Sequence, residues 1–342
     1  MELIHILVTA WNAVSPIVLL ILLGYGLRRI GFLTEEFVKI GNKLVFHVCL
    51  PCMLFINVYD IEGINQIQWD IVLYSCAMVL AICLVCLPIT MLTTKVPERR
   101  GVILQCAFRS NTAIIGISLA SALGGSDAIA SAAMVSAFTI PIFNVLSVIV
   151  LSAFTGKSLR GENSLRSILL NIVKNPLIIG IFLGILCLVV RHAQTQIWQT
   201  PVFLLSRDTE FLYIAARNLS SIASPFALIV LGGQFTFSAV KKLWREIVSG
   251  TVCRIILAPL LGISAAILLS QYSGFLAFDS SAYPAFIALF GSPAAVSSAI
   301  MAQQMGSDEQ LATQLVVWTS IGSIVTVFLT VCILMAGGYL VI

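Results

Sequence analysis

Two apolar stretches of this chain carry polar residues of the kind that bind anions, and they carry them in register. Residues 108–127 read FRSNTAIIGISLASALGGSD, with Arg109, Ser110, Asn111, Thr112 and Gly116 grouped inside an otherwise apolar run. Residues 289–308, LFGSPAAVSSAIMAQQMGSD, align with them at a constant offset of 181 residues, and both stretches end in Gly-Ser-Asp. Asn111-Thr112 then falls opposite Ser292-Pro293. Serine favours the helix N-cap and proline the first helical position, where its missing N–H costs nothing. Ser292-Pro293 therefore reads as a helix restarting midway through a membrane, and Asn111-Thr112 reads the same way, with Asn111 as N-cap. Each restart presents unpaired N–H groups and a partial positive charge of about half an electron, which suits an anion and most simply a carboxylate. A proline that only kinks a continuous helix also fits residues 292–293. Interrupted helices at matching positions of two halves point to the binding site of a transporter.

Other polar residues in apolar surroundings extend the candidate set. Arg109 lies nine residues past Arg100, about 13 Å along a helix. There it could attract an anion, cap the carbonyls that end the first half-helix, or reach back to the interface. Asn144 stands out in the fifth apolar run, with Ser136, Thr139 and Ser147 on a broader arc. Thr319, Ser323, Thr326 and Thr330 share one face of the last run; the first two suit a substrate path and the others helix packing. His47 is the titratable candidate near a central Pro51. The fifteen Asp and Glu residues all fall in connections, termini or expected helix ends, so no buried carboxylate is available as a proton carrier. Nine cysteines are scattered through apolar segments, and the pairs Cys49/Cys52 and Cys83/Cys86 have a zinc-like spacing. Buried in hydrophobic runs without compensating charge, they read as small apolar residues, and no metal or cofactor is expected.

The elements that must hold these residues are membrane helices. The chain is 59% hydrophobic and 10% charged, with a mean hydropathy of +1.04, far from the roughly 25% charged residues of a soluble domain. Ten spans of the necessary length are expected, near 6–27, 38–58, 71–94, 101–124, 128–154, 169–190, 216–237, 247–270, 282–304 and 309–336. The first is read as a span and not a cleaved leader. The seventh follows a polar stretch, 194–210, that could lie along the interface. Lys and Arg cluster in alternate connections: Arg28, Arg29, Lys39 and Lys43; Lys95, Arg99 and Arg100; Lys157, Arg160 and Arg166; Lys241, Lys242 and Arg245. The positive-inside rule makes these cytoplasmic and places both termini outside; the connection between spans 9 and 10 is neutral on the point. Pro16 precedes Gly24 by eight residues as Pro176 precedes Gly184, and spans 2 and 7 each carry a central proline, Pro51 and Pro225. The fold class is thus an all-α integral membrane protein of ten helices, in an inverted five-plus-five repeat with interrupted crossing helices 4 and 9. The repeats are 1–155 and 169–342, joined by a cytoplasmic linker, 156–168.

These features together resemble the auxin efflux carrier family in its short bacterial form. The matching segments are PIVLLILLGYGLRR, NKLVFHVCLPCMLF, FRSNTAIIGISLA, KNPLIIGIFLGIL, Pro225–Gly232 and GSPAAVSSAIMAQQMG. The resemblance implies that crossing helices 4 and 9 frame the site. It implies helices 1, 2, 6 and 7 as scaffold, helices 3–5 and 8–10 as the substrate-holding part, and an organic anion of the auxin, malate or malonate class. Where the family often has proline two residues after the helix 4 glycine, Gly116 here precedes Ile117 and Ser118.

The expected function is a secondary carrier of a small organic anion in the cell inner membrane, with substrate-binding candidates Arg109, Asn111, Thr112, Gly116, Asn144, Ser292, Pro293, Thr319 and Ser323. Its partners are the anion and the lipid bilayer; the coupling ion (proton or sodium) and a homodimer are left open. An anion channel would need a continuous polar path, and a sensor on a transporter fold would carry a soluble signalling domain. An enzyme would need paired carboxylates, a Ser/His pair or metal ligands at membrane depth, and none is visible. Nucleic acid is excluded by the absence of basic clusters interleaved with aromatics.

Overall fold

In a computed structural model, the structure describes residues 2–61, 68–154, 173–272, 278–279 and 282–340. The expected linker 156–168, its basic residues and the start of the sixth expected span lie outside the described residues. Among those described the chain is helical, apart from one isolated backbone bridge. Among the described residues, seven helices are long and apolar enough to cross a membrane.

We label the helices α1 (Glu2–Arg29), α2 (Glu35–Tyr59), α3 (Trp69–Thr93), α4 (Pro97–Phe108), α5 (112–123), α6 (Asp127–Phe154), α7 (Pro176–Trp198), α8 (Glu210–Gln234), α9 (Phe237–Tyr272), α10 (Ala282–Gly291), α11 (Ser297–Gln304) and α12 (Glu309–Ala336). Their starts follow local chemistry. Thr34 caps α2 by accepting from the Phe37 N–H at 3.1 Å, and Asp308 caps α12 by accepting from Leu311 at 2.9 Å. Asn175 caps α7 with Pro176 in the first turn. The polar stretch 194–210 forms the end of α7, a short turn at Leu205–Asp208 and the first residue of α8. The two Gly-Ser-Asp sequences are matching turns: Gly125 (φ 63°) and Gly306 (φ 74°) are left-handed, and a long helix begins at or just after the aspartate.

Pairs of helices approach closely where small residues permit it. α1 lies along α8 so tightly that a Cβ on Gly24 would overlap the Ile229 carbonyl, and one on Gly232 the Ile21 carbonyl. α7 lies along α2 in the same manner, with Gly184 against the Phe55 carbonyl and Val58.

The three basic connections whose residues are described gather at one end of the bundle. Arg99 at the start of α4 bridges Glu246 of α9 at 2.9 Å and Asp308 at 3.0 Å. Tyr25, near the end of α1, meets Phe237 edge-on at 5.7 Å. The connection preceding α12, neutral in the sequence, is thereby tied to that same end. Glu246 is buried within α9, and this ion pair accounts for it.

Candidate functional site

The site forms where α4 and α10 end. Beyond Phe108 and Gly291 the backbone becomes extended, and the two segments pair antiparallel: Ser110 faces Ala294, the Asn111 N–H donates to the Pro293 carbonyl at 2.8 Å, and the Ala295 N–H donates to the Arg109 carbonyl at 3.2 Å. The helices resume unequally. After Asn111 the chain enters a wide π-turn, Thr112–Gly116, that runs into α5. After Ser292 it stays extended, and α11 begins at Ser297.

The expected restart at Ser292-Pro293 is therefore displaced by about one turn. The hydrogen bonds explain it. The Ser292 hydroxyl donates backwards to the Ala288 carbonyl at 2.6 Å, closing the first half-helix instead of opening the second. The Ala294 N–H is taken by the Thr319 hydroxyl at 3.1 Å, which holds the extended segment against α12. Asn111 does stand at the N-cap position, but its side chain makes no capping bond.

A cavity of about 50 Å³ opens beside this crossing, enough for roughly four water-sized groups. Its polar wall is Arg109, Ser110, Asn111, Asn144, Ser224 and Ser297; α2, α6, α7 and α8, with Ala295 and Val296 of the extended segment, supply the apolar remainder, including Met53, Phe143 and Ala227. Arg109 is 4% exposed. Its guanidinium donates to Asn144 Oδ1 at 2.9 Å, Ser297 Oγ at 2.9 Å, Ser147 Oγ at 3.2 Å and Met301 Sδ at 2.8 Å. All four partners are neutral, and among the described residues no carboxylate pairs with it. Two further groups on the cavity wall, Asn111 Nδ2 and Ser224 Oγ, are buried without a hydrogen-bond partner. The N-terminus of α11 contributes its partial positive charge from the same side.

The carbonyl-capping role open to Arg109 belongs to a different residue. Arg254 of α9, 1% exposed, donates to the carbonyls of Ala107, Leu289, Phe290 and Ser292. With those carbonyls occupied, Arg109 turns to the cavity. It does not reach back to the interface.

Residues 9–331 fit a family described as membrane transport protein. The chain belongs to that family, the auxin efflux carriers. It is similar to an uncharacterized transporter of Methanocaldococcus jannaschii, 24% identical over 254 residues that cover 72% of this chain and 76% of the relative. It is also similar to an uncharacterized transporter of Methanothermobacter thermautotrophicus, 23% identical over 328 residues covering 92% and 95%. The chain is thus a membrane transporter of the auxin efflux carrier family.

Of the sequence candidates, the structure brings Arg109, Asn111 and Asn144 together on the cavity wall. The others stand behind it. Thr112 hydrogen-bonds Ser110, and Gly116 lets α5 pass α10, since a Cβ there would lie 2.7 Å from the Ala288 carbonyl. Ser292, Pro293 and Thr319 shape the extended segment, and Ser323 bonds the Ser320 carbonyl of its own helix at 2.8 Å. Thr326 and Thr330 likewise turn back onto α12. His47 is exposed and bonds the Lys43 carbonyl at 3.0 Å, away from the site. Sequence reasoning noted Ser224 as a polar residue of the seventh span without placing it at the site, and missed Ser297 and Arg254. For Arg254 a signal existed: it lies nine residues beyond Arg245, as deep as Arg109 beyond Arg100.

Proposed function

We propose that this transporter is a secondary carrier of a small organic anion, of the mono- or dicarboxylate class, in the cell inner membrane. One observation carries the reading: a buried guanidinium with only neutral partners faces a cavity that also holds an unpartnered amide donor, Asn111 Nδ2. An isolated buried charge costs several kcal/mol, and an entering carboxylate offsets that cost while accepting from Arg109 and Asn111. The apolar remainder of the wall suits the ligand's carbon body. Binding a complete ligand in so small a cavity requires α11 and α5 to separate from α2 and α8, a motion that a carrier has and a fixed pore lacks.

The architecture proposed for it is ten spans in an inverted five-plus-five repeat, 1–155 and 169–342. α4 with α5 forms the fourth span, and α10 with α11 the ninth. The helix contacts support the repeat. Gly24 of the first span meets Ile229, four residues past Pro225; Gly184 of the sixth meets Phe55, four residues past Pro51. Exchanging the halves maps one contact onto the other. We take α1, α2, α7 and α8 as scaffold and the remaining helices as the moving part. With the basic end cytoplasmic, both termini lie outside.

A thermal-shift series with mono- and dicarboxylates on the parent and on Asn111→Ala tests the site. Carboxylates should raise the Tm of the parent and do so less in the variant. Stabilisation by cations or neutral solutes alone would remove the anion reading, and equal carboxylate shifts in both proteins would move the site elsewhere.

A further inference from the structure

The mode of binding at Arg254 bears on what, besides substrate, the crossover needs. Its guanidinium Nε donates to the Ser292 carbonyl at 2.9 Å, Nη1 to Ala107 at 3.1 Å, and Nη2 to Leu289 at 2.9 Å and Phe290 at 2.8 Å. Ala107 lies in the last turn of α4, Leu289 and Phe290 lie in the last turn of α10, and Ser292 is the first residue beyond. One side chain from a third helix therefore gathers the carbonyl ends of both interrupted helices. Such ends carry the negative pole of the helix dipole and lack partners within their own helix. In carriers with broken helices, unwound carbonyls and half-helix C-termini are the groups that hold a coupling cation. Here the oxygens converge on a positive charge already in place, wholly buried and attached to the chain.

We infer that Arg254 is a tethered cation: it permanently fills the cation position of the crossover, so that this transporter requires no sodium or other metal ion there. The two buried arginines then divide the site's electrostatics. Arg254 cancels the negative ends of α4 and α10, and Arg109 together with the positive end of α11 is left for an anion. If the carbonyls were uncompensated, their negative pole beside the cavity would oppose an anion.

The test reads thermal stability in detergent without substrate, so it stands apart from the carrier reading. The parent protein should show the same Tm, within about 1 °C, in sodium, potassium or N-methylglucamine chloride at equal ionic strength. Arg254→Gly should lower Tm by roughly 5–10 °C, because several buried carbonyls lose their donors. Methylguanidinium should restore a saturable part of that loss, and sodium more than N-methylglucamine should restore some of it. Should Arg254→Gly yield no folded protein, Arg254→Lys and Arg254→Gln carry the comparison. The lysine variant, which keeps the charge, should be the more stable, and only the glutamine variant should gain from added cation. A saturable rise of the parent Tm with sodium would overturn the inference. So would Arg254→Gly that no cation rescues, or lysine and glutamine variants of equal stability.

Discussion

Replacing Arg109 by glutamine should separate binding from stability. The guanidinium is buried with four neutral partners, Asn144, Ser147, Ser297 and Met301. Its desolvation costs several kcal/mol, which its hydrogen bonds, donated by a charged group and worth about 1.5–3 kcal/mol each where well formed, roughly offset. Glutamine removes the charge and keeps the capacity for two or three of the bonds. The net change in folding stability should therefore stay within about 1 kcal/mol, at most roughly 3 °C of Tm, and its sign can favour the variant. Binding behaves differently. A charge-assisted hydrogen bond to a carboxylate contributes about 1.5–3 kcal/mol, so its loss should raise Kd by roughly 10- to 150-fold. The assay is a carboxylate titration by calorimetry on parent and Arg109→Gln, with Tm measured on the same samples. An unchanged Kd would refute the assignment of Arg109 to the anion. A Tm loss as large as that expected for Arg254→Gly would show Arg109 to be structural.

Other substitutions follow from the same geometry. Asn111→Ala should leave Tm within about 1 °C, because Nδ2 has no partner to lose, and should weaken carboxylate binding roughly 10-fold on the same titration. Gly116→Ala forces a Cβ to 2.7 Å from the Ala288 carbonyl; a loss of about 1–3 kcal/mol is expected, read as a drop in the thermal midpoint. His47→Ala should change neither binding nor its pH profile, since the exposed ring bonds only the Lys43 carbonyl. Arg99→Ala leaves Glu246 and Asp308 without their shared partner. It should destabilise by about 1–3 kcal/mol, with Arg99→Lys recovering part of the loss in the same melt.

The helices were legible because the membrane demands long apolar runs, and seven helices among the described residues are long and apolar enough to cross one. The place of the crossing was legible too, through the 181-residue match. Its internal geometry was not. Ser292-Pro293 has the local form of a helix start, yet Ser292 serves the preceding helix and Thr319 takes the Ala294 N–H, contacts made across 4 and 25 residues. Propensity describes the first neighbours of a residue and cannot anticipate a hydroxyl arriving from α12. Arg109 had three open roles because its orientation depends on whether the nearby carbonyls already have a donor. That donor, Arg254, comes from α9, and no spacing within residues 108–127 announces it. Ser224 and Ser297 looked ordinary in sequence, since serines are frequent in membrane helices; their significance is their position around the cavity.

The central claim is carriage of an organic anion by exchange across the crossover, and counterflow in proteoliposomes tests it most directly. Vesicles loaded with an unlabelled carboxylate from the mono- and dicarboxylate panel are diluted into the labelled compound, and uptake is followed with parent and Arg109→Gln. The account predicts saturable uptake stimulated by internal carboxylate and strongly reduced in the variant. Uptake indifferent to internal carboxylate, accompanied by ohmic currents through the protein, would contradict it.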